Sequence, residues 1–113
     1  MLLDEGLNEL ADQFVDLIAY GQWGTATTLP TTTDVGLGSP VTATKIAPTG
    51  INSGAAVQFT HVVSSALGNG NTLTEFELQF TNGDSLMRQI GGPVSKTASF
   101  ELTTIVTINI LRG

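Results

Sequence analysis

Few side chains in this sequence could do chemistry. His61 is the sole histidine. It falls in the alternating run 55–64, which puts Ala55, Val57, Phe59 and Val63 on the same side. A lone histidine on an apolar strand face reads as a core or edge residue rather than a general base. A histidine-pair metal site needs a second ring, and the chain has none. A Ser-His-Asp set is arithmetically available, but no serine sits in a nucleophile-elbow pattern.

Glu75 and Glu77 sit two apart in the alternating run 73–81. Two such carboxylates lie about 7 Å apart along a strand, and paired carboxylates can serve glycoside chemistry. Both occupy the polar side of the run, while Phe76, Leu78 and Phe80 point inward. The pair is therefore expected to face water, with a calcium site or a subunit salt bridge as the other roles open to it. Asn82-Gly83-Asp84 could suggest a calcium turn. No EF-hand ligand series follows it, so turn chemistry accounts for it. Gly36 to Gly38 lack the strand before and helix after that a dinucleotide loop requires, and no P-loop is present. The chain has no cysteine, which removes disulfide scaffolds, thiolate zinc sites and cysteine nucleophiles. No catalytic residue, metal or cofactor is expected, and the chain reads as a non-enzyme.

The elements around these residues form one domain of 113 residues. Residues 3–19 read as an amphipathic helix. Leu3, Leu7, Leu10, Phe14 and Leu17 are spaced 4, 3, 4, 3, which draws one stripe, and Ala11, Val15 and Ile18 widen it. The stripe suits a helix that covers a face of its own domain, or one that packs against copies of itself. Gly21 is the expected stop, with Tyr20 and Trp23 anchoring the junction to a sheet or to an interface. Residues 24–40 are a Thr/Gly/Pro-rich arm or loop with no core of its own. It can lie along a neighbouring subunit or wrap its own domain. Residues 41–111 read as β, with strands at 41–47, 55–64, 73–81, 85–90 and 100–110. Asn82-Gly83 marks a hairpin, and Gly91-Gly92-Pro93 marks a break. On the last strand Phe100, Leu102, Val106, Ile108 and Ile110 share one face. The expected fold is mainly β, an antiparallel β-sandwich or small barrel with one N-terminal α-helix.

Ten acids face four Lys plus Arg, a net charge of −6. That balance repels phosphate backbones and anionic membrane surfaces, so neither nucleic acid nor membrane is an expected partner. Only 12% of residues are charged, about half the usual roughly 25%. Acids at Asp4, Glu5, Glu9, Asp12 and Asp16 rule out a signal-peptide pattern. The protein is expected to stay where it is made or to leave as part of an assembly.

Two stretches carry a resemblance. Residues 24–38, from Gly24-Thr25-Ala26-Thr27-Thr28-Leu29-Pro30 through Asp34-Val35-Gly36-Leu37-Gly38, resemble a "GTGTTxPTxxDTxLG" segment of structural proteins of tailed bacteriophages and archaeal tailed viruses. Residues 72–80, then Asn82-Gly83-Asp84, then Lys96-Thr97-Ala98-Ser99-Phe100-Glu101-Leu102, resemble the second half of those proteins. There a "TLTEFGLF…DG…" hairpin precedes a final strand introduced by a Lys-Thr or Lys-Ser step. With the leading helix, the resemblance covers nearly the whole chain. Glu77 departs from it, standing where the family pattern has Gly, which makes this strand more regular and removes the reason to expect a bulge there.

The resemblance implies a virion component assembled in the host cytoplasm, in the tail, fibre or baseplate apparatus. A capsid decoration or vertex (turret) protein, or a head-tail connector, is the close alternative, and a receptor- or glycan-binding module is a further one. The expected partners are copies of the chain, as a trimer or pentamer, and other virion proteins. The residues assigned to those contacts are Leu3, Leu7, Leu10, Phe14, Leu17, Trp23, Leu29 and Pro30.

Overall fold

The computed structural model describes residue 1 and residues 3–110. The expected end of the β-region at residue 111 lies outside them. Helix α1 spans Asp4–Leu17. Asp4 and Glu5 occupy its first turn, where the helix dipole favours anions. Strand β1, Ile18–Gly24, follows with no loop between. The expected helix 3–19 therefore ends two residues early, and Gly21 does not stop it. Gly21 sits inside β1, where a Cβ would lie 2.6 Å from the His61 ring and 3.0 Å from Phe76. Packing selects glycine there. Tyr20 and Trp23 belong to β1 as well, and Trp23 is buried with its ring centroid 5.3 Å from that of Phe76.

The expected strand 41–47 is not a strand. A single 3-10 turn occupies Thr42–Thr44, and only Pro40 and Ile46 bridge to β1, at Gly24 and Gly21. The buried Thr44 hydroxyl explains the turn. It accepts from Trp23 N at 2.8 Å and lies 2.8 Å from the Val41 carbonyl, to which it can donate. A strand absent from the sequence reading, β2, spans Thr49–Ser53. Strands β3 (Ala56–Val63), β4 (Thr72–Phe80), β5 (Ser85–Ser95) and β6 (Leu102–Asn109) complete the chain. Strand β5 continues past Gly91-Gly92-Pro93, but its pairing is interrupted there as the sequence suggests, since these residues stand opposite Thr74 alone between the pairs Glu75↔Ile90 and Leu73↔Val94. Phe100 lies before β6 and is exposed, not on its inward face. It lies under the Lys96 ammonium, 5.3 Å from the ring centroid.

The six strands form two three-stranded antiparallel sheets, ordered β1-β4-β5 and β2-β3-β6. The arrangement is sandwich-like and not a closed barrel. The β4–β5 ladder shifts register between Leu73 and Glu75 and between Leu78 and Gln79. The extra residues of both shifts lie on β5, and β4 stays in register around Glu77 with both β1 and β5, without a bulge there; Leu73 joins Phe76 and Leu78 in the core.

Burial follows the alternation read for β3, where Val57, Phe59, His61 and Val63 are all buried. They face Trp23, Phe76 and Leu78 of the other sheet in one cluster. Helix α1 packs against β1, β2 and β3 and adds Leu7 and Ala11 to the buried set. Phe14 packs on Phe59 with centroids 6.4 Å apart. The helix stripe is therefore split. Leu7, Ala11 and Phe14 turn inward, while Leu10 stays 49% exposed. Phe14→Asp places a carboxylate against this core and is expected to cost about 2 kcal/mol or more. Leu10→Asp is expected to stay within about 0.5 kcal/mol of wild type. Urea denaturation of the two variants checks this, and equal losses would show that the stripe is not divided.

Candidate functional site

The sequence places Glu75 and Glu77 on a polar strand face, and the expectation was water. Both are instead buried, at 0% and 2% exposure. The arm 24–40 covers them. An alternating strand identifies its polar side but not what lies over that side, and an aperiodic arm gives no signal of where it will lie.

Glu75 is held by four donors. Its Oε1 accepts from Gly38 N at 2.9 Å and from Arg88 Nε at 2.8 Å. Its Oε2 accepts from Ala26 N and Ser39 N, each at 2.9 Å. Gly24 is required by this approach, since a Cβ there would collide with Oε2. The neighbouring Thr74 hydroxyl donates to the Ala26 carbonyl at 2.7 Å. Burial pushes the Glu75 carboxyl up, but the hydrogen bonds from Gly38, Ser39, Arg88 and Ala26 outweigh it and hold the group below its ordinary range.

Arg88 carries the contact outward along the arm. Its Nη2 donates to the Thr28 carbonyl at 2.7 Å and its Nη1 to Asp34 Oδ2 at 3.0 Å. The Asp34 carboxyl sits at the arm's tip and closes a turn, accepting from Thr31 N and Thr31 Oγ1. Those two bonds, with Arg88 added, lower its pKa. The salt bridge open to Glu75 is therefore made within the chain, to Arg88. Sequence reasoning passed over Arg88, although a signal existed. A tight Asn82-Gly83 hairpin aligns Arg88 with Glu77, the register found in the structure, and so puts the guanidinium on the acids' face.

Glu77 is less well served. Gln79 Nε2 donates to its Oε1, but Glu77 Oε2 and Gln79 Oε1 have no hydrogen-bond partner and are buried. A hollow of about 200 Å3 opens between the arm and β5, lined by Pro30, Thr31, Asp34, Gly36, Met87 and Arg88. Its two charged groups already hold each other and the arm, so it is a polar crevice, not a constellation of free catalytic groups.

His61 lies elsewhere. Its Nε2 is 2.9 Å from the Gly21 carbonyl and 3.0 Å from the Thr44 carbonyl, so Nε2 carries the proton. Its Nδ1 is buried without a partner. Burial, only partly offset by the two carbonyls, lowers its pKa. Asp84 lies in a third place, in the 82–84 turn, where it pairs with Asn82 at 3.0 Å. His61, Glu75 and Asp84 are thus not brought together. No cluster of three metal-ligating side chains occurs among the described residues.

Buried Lys96 is a second cation whose structural role the sequence reading left unassigned. Its Nζ donates to Asn69 Oδ1 and the Thr97 carbonyl, each at 2.9 Å, tying the 68–71 turn to the approach to β6. Of the residues assigned to contacts, Leu7 and Trp23 are buried in their own core and Phe14 is half-buried, so the core uses them. Leu3, Leu10, Leu17, Leu29 and Pro30 remain exposed. No protein-family model, curated protein or solved structure matches this chain.

Glu75→Gln places an amide nitrogen among backbone donors and is expected to cost about 3 kcal/mol. Glu77→Gln removes a charge with one unserved oxygen and is expected to be neutral or to stabilise by up to about 1 kcal/mol. Thermal unfolding of the two variants decides this, and losses of equal size would refute the distinction. The pH dependence has two steps. His61 has a folded pKa below its ordinary 6.5, so the folded state binds fewer protons and stability falls as pH drops below that value. Glu75 has a folded pKa below its ordinary 4.5, so its contribution is present above that value and is lost as pH falls through the folded pKa. Unfolding midpoints against pH should show both steps, with His61→Gln removing the upper one. An unchanged upper step in that variant would assign it to another group.

Proposed function

We propose that this chain is a non-enzymatic structural protein of a tailed-virus particle, acting as a symmetric homo-oligomer among other virion proteins in the tail, fibre or baseplate apparatus. The resemblance in residues 24–38, 72–84 and 96–102 supports the virion. Most of the ionisable groups that could have served a reaction are engaged in structural contacts, Glu77 with its one unserved oxygen excepted, which supports a non-enzymatic role. Glu75, Arg88 and Asp34 fasten the arm, and the His61 N–H is taken by two carbonyls.

One observation carries the assembly role. Leu3, Leu10 and Leu17 are 63%, 49% and 51% exposed. Their spacing of seven sets them in a single ridge along α1. The domain leaves that ridge uncovered although it buries Leu7 and Ala11 on the same helix. Leu29 at the arm adds a fourth large apolar side chain, 73% exposed. A small domain gains solubility by hiding such groups, and a ridge of them suits a partner surface. The purified chain is expected to sediment as an oligomer at micromolar concentration. A monomer with the helix folded would count decisively against the homo-oligomer.

A further inference from the structure

The four sheet edges are treated very differently. Along β1, residues 39–46 bond to the backbone. Gly21 N donates to Ile46 O at 2.9 Å, Ile46 N to Gly21 O at 3.0 Å, and Val41 N to Trp23 O at 2.9 Å. Strand β5 carries Arg88, two register shifts in its ladder and Pro93. Strand β2 has five residues and lies against α1. Short length, proline, charge, irregular register and a covering segment are the devices that stop a strand edge from recruiting another strand.

Among the described residues, strand β6 has none of them. It pairs with β3 alone, over an unbroken eight-residue register from Ala56↔Asn109 to Val63↔Leu102. Its sequence, Leu102-Thr103-Thr104-Ile105-Val106-Thr107-Ile108-Asn109, has no charge, proline or glycine. Six of its eight residues are β-branched, which favours strand pairing. Ile105 is 58% exposed. Beside this edge runs an apolar groove of about 200 Å3, lined by Trp23, Phe76, Gly91, Thr104, Ile105 and Val106.

Charge decides the occupant. No Asp, Glu, Lys or Arg occurs between Ile46 and Thr74 or within β6, so the whole β2-β3-β6 sheet is uncharged. The rest of the chain carries the net −6. Two copies repel over most of their surfaces, and this sheet is where no like charges meet. We infer that β6 pairs with β6 of a second copy, antiparallel about a twofold axis, giving one six-stranded sheet across the dimer. The inference rests on the assembly reading only in taking a copy of this chain as the partner. The contact closes at two copies, so a larger assembly needs a further contact elsewhere.

Sedimentation of the full chain with Ile105→Lys/Thr107→Lys tests the pairing. Both side chains are exposed, and circular dichroism checks that the fold is kept. Like charges facing each other across the axis should weaken self-association by at least about tenfold. Ile51→Lys, on the opposite edge strand of the same sheet, should leave it unchanged. Hydrogen exchange of the wild-type chain reads the edge directly, since β6 amides turned away from β3 should be slowed in the oligomer and fast on dilution to monomer. An oligomer unaffected by the double variant, one broken equally by Ile51→Lys, or β6 exchange independent of concentration overturns this inference and spares the assembly reading. A folded wild-type monomer at micromolar concentration overturns both.

Discussion

The Glu75 carboxylate is the point on which this half of the molecule depends. A charge with no exposure is tolerable only if every lone pair is served. Here three backbone N–H groups and one guanidinium serve it. The dependence runs both ways. Without the carboxylate, the amides of Ala26, Gly38 and Ser39 would lose their acceptor, at roughly 1–3 kcal/mol for each one left buried. A Thr/Gly/Pro segment cannot anchor itself by apolar burial, so it is anchored by its own backbone donors. Gly24 then follows from the closeness of the approach, and Arg88 from the need to reach Thr28 and Asp34 further along the arm.

What was legible in the sequence is what has a period. The amphipathic helix, the inward face of β3 and the alternation of β6 are direct consequences of 3.6- and 2-residue repeats, and burial follows the pattern in the two strands. Strand β1 was illegible because Ile18-Ala19-Tyr20-Gly21-Gln22-Trp23-Gly24 shows no alternation. Six of its seven residues are buried or half-buried, since the core lies on one face and other segments cover the rest. Strand β2 was missed because Thr-Gly-Ile-Asn-Ser is polar and short, and its pairing with β3 comes from register, not composition. The division of the helix stripe needed tertiary knowledge. The sequence marks Leu7 and Leu10 as equals, but the packing of α1 against β2 and β3 buries only the first.

The candidate site was misread for a related reason. Alternation assigns Glu75 and Glu77 to the face away from the core, which is correct. It cannot say that a second layer covers that face. Among the described residues the opposite sheet has no such layer over Ile51, Val62 and Ile105, which are 65%, 39% and 58% exposed. Sheet β1-β4-β5 is therefore clad on its outer side by a polar, ion-paired arm, while sheet β2-β3-β6 is bare and uncharged.

That asymmetry bears on the proposed assembly role. An isologous contact alone stops at two copies. Growth into a particle needs a second, non-overlapping surface of different character. The bare sheet and the α1 ridge differ in this way. The ridge shares its helix with Asp4, Glu5, Glu9, Asp12 and Asp16 and with no base, so two copies can meet along it only where those acids are held apart, a constraint that the β6 edge does not carry. The β6 edge has no charge to select against its own copy. The two surfaces are also apart in the fold, since α1 packs on β2 and β3 and β6 is the far edge of the same sheet. On the proposed reading, one chain of 113 residues thus has two surfaces of different character, each specified by where charge has been placed and where it has been left out.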